Sequence, residues 1–230
     1  MAFFTVNTNE ENVKDYAGNG GKYLNKSGIY EIVIKNAFVD VSKNGSQSIS
    51  LFFEYEGQPQ TIYSAIRLTN NNGTPNIGAA LFNKLAVVCG ASEGSEIADP
   101  VPMQLPVGAG GAMKECMVLE DFNDMPVYMR LQMEYGMYEG KIQERKNIRN
   151  FFRVPDKATA AEIVNNTEVG LQYEKELEYA DKVTYKDDLT EEDVAEWIKN
   201  RGNKDKEETS ASKPAPISFG QKRRSEKHHV

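Results

Sequence analysis

The chain has 230 residues, 40% of them hydrophobic and 10% aromatic, with 34 acidic and 27 basic side chains and a formal net charge of −7. That is enough apolar material for one well-packed domain with an extension, while the acidic balance excludes a uniformly basic surface, so any contact with a polyanion has to be local. Two cysteines, Cys89 and Cys116, are too few for a disulfide framework or a four-ligand zinc site, and the only histidines are His228 and His229.

No stretch reaches the roughly 18 apolar residues of a membrane span, and residues 1–16 lack the basic and apolar regions of a signal peptide, so a cytoplasmic protein without membrane contact is expected. Residues 1–27, polar and glycine-containing, read as an N-terminal arm. From Gly28 to Val41 the period is two, with Tyr30, Ile32, Ile34 and Phe38 alternating with Ile29, Glu31, Val33, Lys35 and Val39, which predicts a long first strand. Asn44-Gly45 predicts a type I′ hairpin turn, because both central positions of that turn need positive φ. A second strand over Ser46–Glu56 places Ile49, Leu51, Phe53 and Tyr55 on one face. A turn at Glu56–Pro59 leads to a third strand over Gln60–Leu68.

The periodicity then changes. Ile77, Leu81, Leu85 and Val88 form one helical stripe, so Asn76–Cys89 reads as a helix, with Asn76 or Thr74 as cap and Gly90 as stop. Ala91–Met125 carries three prolines and the run Gly108-Ala109-Gly110-Gly111 and reads as irregular, with a short extra strand within Ala112–Leu119. Val127, Met129, Leu131, Met133 and Tyr135 then alternate with polar positions. Gly136–Gly140 supplies a turn, and Lys141–Phe152 returns. Strand, strand, strand, helix, strand, strand is the order of a five-stranded OB-type barrel, so a mainly β fold with a helix between strands 3 and 4 is expected over residues 28–155.

Residues 156–208 hold 16 acidic and 8 basic side chains, about −8 net. Thr159–Asn166 reads as one or two helical turns, and Thr190-Glu191-Glu192-Asp193 resembles a capping box ahead of Val194, Trp197 and Ile198. The expected organisation is thus an acidic, partly helical extension over 156–201 and a disordered tail over 202–230 that ends in the basic run Gln221–Arg224.

Enzymatic signatures are absent. The glycine run lacks the Lys-Ser/Thr of a phosphate-binding loop, no interior histidine is available as a base, and Glu120, Asp121 and Asp124 read more simply as a solvated loop than as a magnesium site. No catalytic residue, metal or cofactor is expected.

The informative group is the final hairpin with the inner strands. Residues 127–153 carry six basic and three acidic side chains, a local +3 within an acidic chain. Strand alternation puts Tyr128, Arg130 and Gln132 on the outer face of one strand and Arg145, Arg149 and Phe151 on one face of its neighbour, with Lys146 between them. Phe52, Tyr63 and Arg67 occupy outward positions on strands 2 and 3. Rings interleaved with cations suit single strands, whose bases stack on aromatic faces while Arg and Lys follow the phosphates. The same rings also suit ordinary packing under loops, and the same arginines suit protective charges on strand edges.

Three stretches, Gly28–Ile34, Ser46–Phe53 after the Asn-Gly turn, and Arg145–Phe152, resemble the single-stranded DNA-binding proteins encoded in bacteriophage replication modules, over roughly residues 25–155. The resemblance implies an OB-fold that coats single-stranded DNA during replication or recombination. It also implies replication or recombination proteins as possible partners of the C-terminal extension, although the short acidic, aromatic-tipped end of such families is lacking here. The competing expectation is a non-enzymatic interaction module, an adaptor or DNA mimic acting on a host protein.

Overall fold

The computed structural model describes residues 23–211, with side chains to residue 201. Its plan is set by β1 (Gly28–Val41), which bonds along one edge to β2 (Gln47–Tyr55). On its other edge β1 changes partner. Gly28–Ile34 pair with β6 (Met125–Tyr138) and Ala37–Val39 pair with β5 (Lys114–Leu119). Outside these lie β3 (Gln58–Arg67) on β2, β4 (Val101–Leu105) on β5, and β7 (Lys141–Arg153) on β6. The two-residue β8 (Thr184–Tyr185) runs parallel to β6 where β1 has ended.

The result is a mainly β molecule with one open sheet of eight strands, antiparallel except for β8. Helix α1 (Gly78–Val88) lies against both β3 and β7, but those two strands share no ladder, so hydrogen bonding does not close a five-stranded barrel. The sequence reading lacks β4 and β8, and the extra strand it places within Ala112–Leu119 is β5.

The turns obey local chemistry, though not at the expected places. Gly45 has positive φ and Asn44 does not. Gly45 N donates to Ser42 O (2.9 Å) and Ser42 N to Ser46 O (2.9 Å), a three-residue loop with a left-handed glycine at its end rather than a type I′ turn. The type I′ pattern falls instead at Glu56-Gly57 (φ 47° and 74°) and Glu139-Gly140 (49° and 74°), so β3 begins at Gln58 and β6 extends to Tyr138.

Bulges decide which face each side chain takes. In β1 the register slips between Ile34 and Asn36, leaving Lys35 as an extra residue. Ile32, Ile34 and Ala37 therefore enter the main core with Ile49, Leu51, Phe53, Val127, Met129 and Leu131. Phe38, grouped by simple alternation with Ile34, goes to the opposite face. There it joins Leu105, Val107, Cys116 and Val118 in a second, smaller core under the β4–β5 hairpin. Helix α1 contributes Leu85, Ala86 and Val88 to the main core, but it starts after Ile77, which is exposed rather than part of the stripe.

The described end of the expected N-terminal arm and the acidic extension are both bound to the sheet. Leu24 is buried and its N–H donates to Gln60 Oε1 (2.9 Å), while Met133 N donates to Ser27 Oγ (2.9 Å). The acidic extension forms α2 (Ala160–Asn165), α3 (Leu171–Leu177) and α4 (Glu191–Ala211). Helix α4 has the expected Thr190–Asp193 capping box and continues through 202–211, where no structure was expected. Val194 is buried and Trp197 packs against Tyr135 (ring centroids 6.2 Å apart). The basic run 221–224 and both histidines lie outside the described residues. Among the described residues no helix is long and apolar enough to cross a membrane.

Glu162 ties the first part of the extension together. Burial raises its pKa, but N–H donation from Thr159 (2.8 Å), Gln172 (3.0 Å) and Gly170 (3.3 Å) outweighs this and holds the carboxyl below its ordinary value. A lowered folded pKa adds stability that is complete above the unfolded value and lost as pH falls through the folded one. Glu162→Gln is therefore expected to lower the thermal midpoint at pH 7, and the gap from the unmodified protein should narrow as pH falls below the ordinary glutamate pKa of about 4.3. A gap independent of pH would contradict this role.

Candidate nucleic-acid interface

The residues singled out from the sequence fall into four environments. The first surrounds a distortion in β3. Five residues, Ile62 to Ile66, span the interval that the three residues from Leu51 to Ile49 span on β2, so Tyr63–Ala65 bulge outward. Ser64 takes positive φ (46°), a costly conformation for serine that surrounding bonds maintain. Its N–H donates to Ser50 Oγ (2.8 Å), its hydroxyl accepts from Ser48 Oγ (3.1 Å), and Ser50 Oγ donates to Asp40. The bulge lifts Tyr63 out of the sheet. Its hydroxyl donates to the carbonyl of Val107 in the β4–β5 connection, and its ring meets Phe38 edge-on at 6.4 Å. The ring is thus held in one orientation and remains 51% exposed, with Lys114 Nζ 6.0 Å from its centroid. Phe52, by contrast, is half-buried against the smaller core and serves as packing.

The second environment is the main core. Between Arg130 and Leu131 the β6–β7 register slips by one residue. Asn150 pairs with Arg130 and Ile148 with Leu131, leaving Arg149 as the extra residue. Side-chain parity reverses across this bulge, so Phe151 does not share a face with Arg145. It stands opposite Met129, fully buried, and cannot serve as a stacking surface.

The third is the outer face of β6, which the extension covers. Tyr128 meets Tyr173 of α3 at 5.4 Å, and Phe152 meets the same ring at 5.1 Å. Arg130 pairs with Glu176 (Nη1–Oε2 2.9 Å) and lies 4.6 Å from the Tyr179 ring. Glu176 also accepts from Asn150 (2.8 Å) and Gln172 (3.0 Å). Tyr128 and Arg130 are therefore structural residues at an internal interface, not the outward ligand contacts expected from the strand pattern.

The fourth is the gap between β3 and β7. Arg67 and Arg149, 82 residues apart in the sequence, line one groove of about 500 Å³ across this seam, together with Lys84 of α1 and Lys186 after β8. Among the described residues the groove's one carboxylate, Glu134, is buried and paired with Lys186 (2.9 Å). Arg149 donates to Gln132 Oε1 (2.6 Å), and no carboxylate pairs with Arg67, Lys84 or Arg149 among the described residues. At one end Arg67 also lines a hollow with Asn70, Asn71 and Asn72. At the other, Lys84 and Arg149 lead into a depression of about 460 Å³ along α2 and α3, with Lys175 on its wall. The carboxylates there, Glu162 and Glu176, are already engaged, which leaves Glu168 as the opposing charge. Lys84, Lys175 and Lys186 were not identified from the sequence. They lie on a helix and in the acidic extension, and only the tertiary fold brings them to the arginines.

Arg145 is exposed on β7. Lys146 faces the other way, opposite Met133, and burial lowers its pKa while Glu144 partly opposes that shift. The acidic loop is also accounted for, since Asp124 pairs with Lys35 and Asp121 accepts from Ala98 N (2.9 Å). Among the described residues no group of three or more His, Cys, Asp or Glu side chains could hold a metal ion.

No protein-family model matches this chain, and no curated protein is found to be similar to it.

The burial of Phe151 yields a direct prediction. Phe151→Ala should cost about 3–5 kcal/mol of folding stability, the usual range for truncating a core phenylalanine, measured by urea unfolding. A destabilisation under about 1 kcal/mol would mean that the ring is not in the core.

Proposed function

We propose that the chain binds single-stranded DNA with little sequence preference, coating it during replication or recombination. The observation that carries this reading is the groove between β3 and β7, where Arg67, Lys84 and Arg149 converge without carboxylate partners among the described residues, in an otherwise acidic molecule. Cations spaced along a groove neutralise successive phosphates, and Tyr63, oriented by its hydroxyl and outward on the same strand as Arg67, supplies a ring on which a base stacks.

The connectivity favours the same reading. A three-strand meander, a helix, and a hairpin that returns to the first strand is the order of an OB-type barrel. In that scheme β1, β2, β3, β6 and β7 are the five strands, β4–β5 is an insertion, and β8 belongs to the extension. The preference for DNA over RNA, and the assignment to bacteriophage replication, rest on the sequence resemblance alone.

Titration of a fluorescent oligo-dT at two salt concentrations tests the proposal. Three neutralised phosphates imply a log–log salt slope of about −2. Arg67→Ala with Arg149→Ala should weaken binding and flatten the slope to about −0.7, one phosphate remaining. Duplex DNA of equal length should bind more weakly. Absence of oligo-dT binding at low salt, or binding indifferent to salt, would overturn the proposal.

A further inference from the structure

Ile77 is the most exposed large apolar side chain among the described residues, 91% accessible, and it lines the cationic groove beside Arg67 and Lys84. An isolated exposed aliphatic residue is ordinary on a protein surface. Its mounting sets this one apart. Gly78, which follows, packs so closely on the end of β3 that a Cβ there would stand 2.2 Å from Arg67 O, so the first turn of α1 and the last residue of β3 are locked together. Asn76 completes the clamp. Its N–H donates to Leu68 O (2.8 Å), its side-chain amide donates to Asn70 Oδ1 (2.7 Å), and its Oδ1 accepts from Gly78 N (3.1 Å). A bridge between Thr69 and Pro75 closes the loop below. The clamp holds Ile77 out from the core, in fixed relation to the guanidinium-bearing strand, and its branched side chain has few rotamers.

A ligand that suits this arrangement carries negative charges for the cations and an apolar face for the isoleucine. We propose that Ile77 is a base-contact residue of the groove, lying against the face of an unpaired base while Arg67, Lys84 and Arg149 hold neighbouring phosphates. This inference rests on the nucleic-acid reading above and adds a selectivity to it. Base faces are hidden in a duplex and exposed in a single strand, so the isoleucine rewards only the unpaired form.

The test compares oligo-dT with an abasic oligonucleotide of equal length, which presents the same phosphates without bases. Ile77→Ser should weaken oligo-dT binding about tenfold, leave abasic binding within about twofold, and leave the salt slope unchanged. Ile77→Phe should bind oligo-dT at least as tightly as the unmodified protein, which also shows that the position tolerates substitution. Equal losses on both oligonucleotides, or oligo-dT affinity unchanged in Ile77→Ser, would overturn the role of Ile77 while leaving the groove's function intact. Failure of the unmodified protein to bind either oligonucleotide would remove both.

Discussion

The whole arrangement depends on a single strand that serves two partners along one edge. β1 holds β2 on one side throughout Val33–Val41, and on the other it bonds first to β6 and then to β5. The extra residue at Lys35 lies where this handover occurs. A bulge bends a strand and increases its local twist, which lets the β6–β7 hairpin and the β4–β5 hairpin leave β1 in different directions. It also turns Phe38 to the far side, where burial of a phenylalanine is worth about 1.5–3 kcal/mol and supplies the nucleus of a second core. That second core anchors the β4–β5 connection and, through the Val107 carbonyl, orients Tyr63.

The acidic extension belongs to the folded body rather than trailing from it. What holds α3 down is chiefly apolar, with Tyr173 packed among Tyr128 and Phe152. The Arg130–Glu176 pair, with side chains 12% and 5% exposed, contributes little net stability once its desolvation is counted, but removing either partner would leave an uncompensated charge inside. The same contacts have an electrostatic effect. Glu162, Glu176 and Asp156 are bound to neighbours within the extension or on the sheet, so they do not neutralise Arg67 or Lys84. The molecule carries an overall negative charge and still retains a local positive track.

The meander and the helix were legible because each repeats a periodicity over many residues. Ile49, Leu51 and Phe53 alternate into the core, and Leu85 and Val88 face it from α1. The remainder was not, for three physical reasons. β4 is a five-residue edge strand containing Pro102, and β8 has two residues, too short for any pattern. The bulges at Lys35 and Arg149 leave composition untouched yet reverse which side chains face inward, which is how Phe38 and Phe151 came to be misplaced by simple alternation. Finally, covering of the β6 face depends on contacts such as Arg130 to Glu176, 46 residues apart, and assembly of the groove depends on Arg67, Lys84, Arg149 and Lys186 meeting through tertiary structure. Of the residues singled out in the sequence, Tyr63, Arg67, Arg145 and Arg149 are exposed, whereas Tyr128, Arg130 and Phe151 pack within the architecture.

A sheet left open between β3 and β7 has a colloidal consequence. Two strand borders that do not bond to each other are available to bond to another molecule's borders, the route by which sheet proteins aggregate when crowded. The features that shape the groove also guard against such zipping. Pro59 removes a donor near the beginning of β3, the left-handed Ser64 breaks its straightness, and α1 lies across the gap. Neighbouring copies can therefore sit close together without fusing into a continuous β structure.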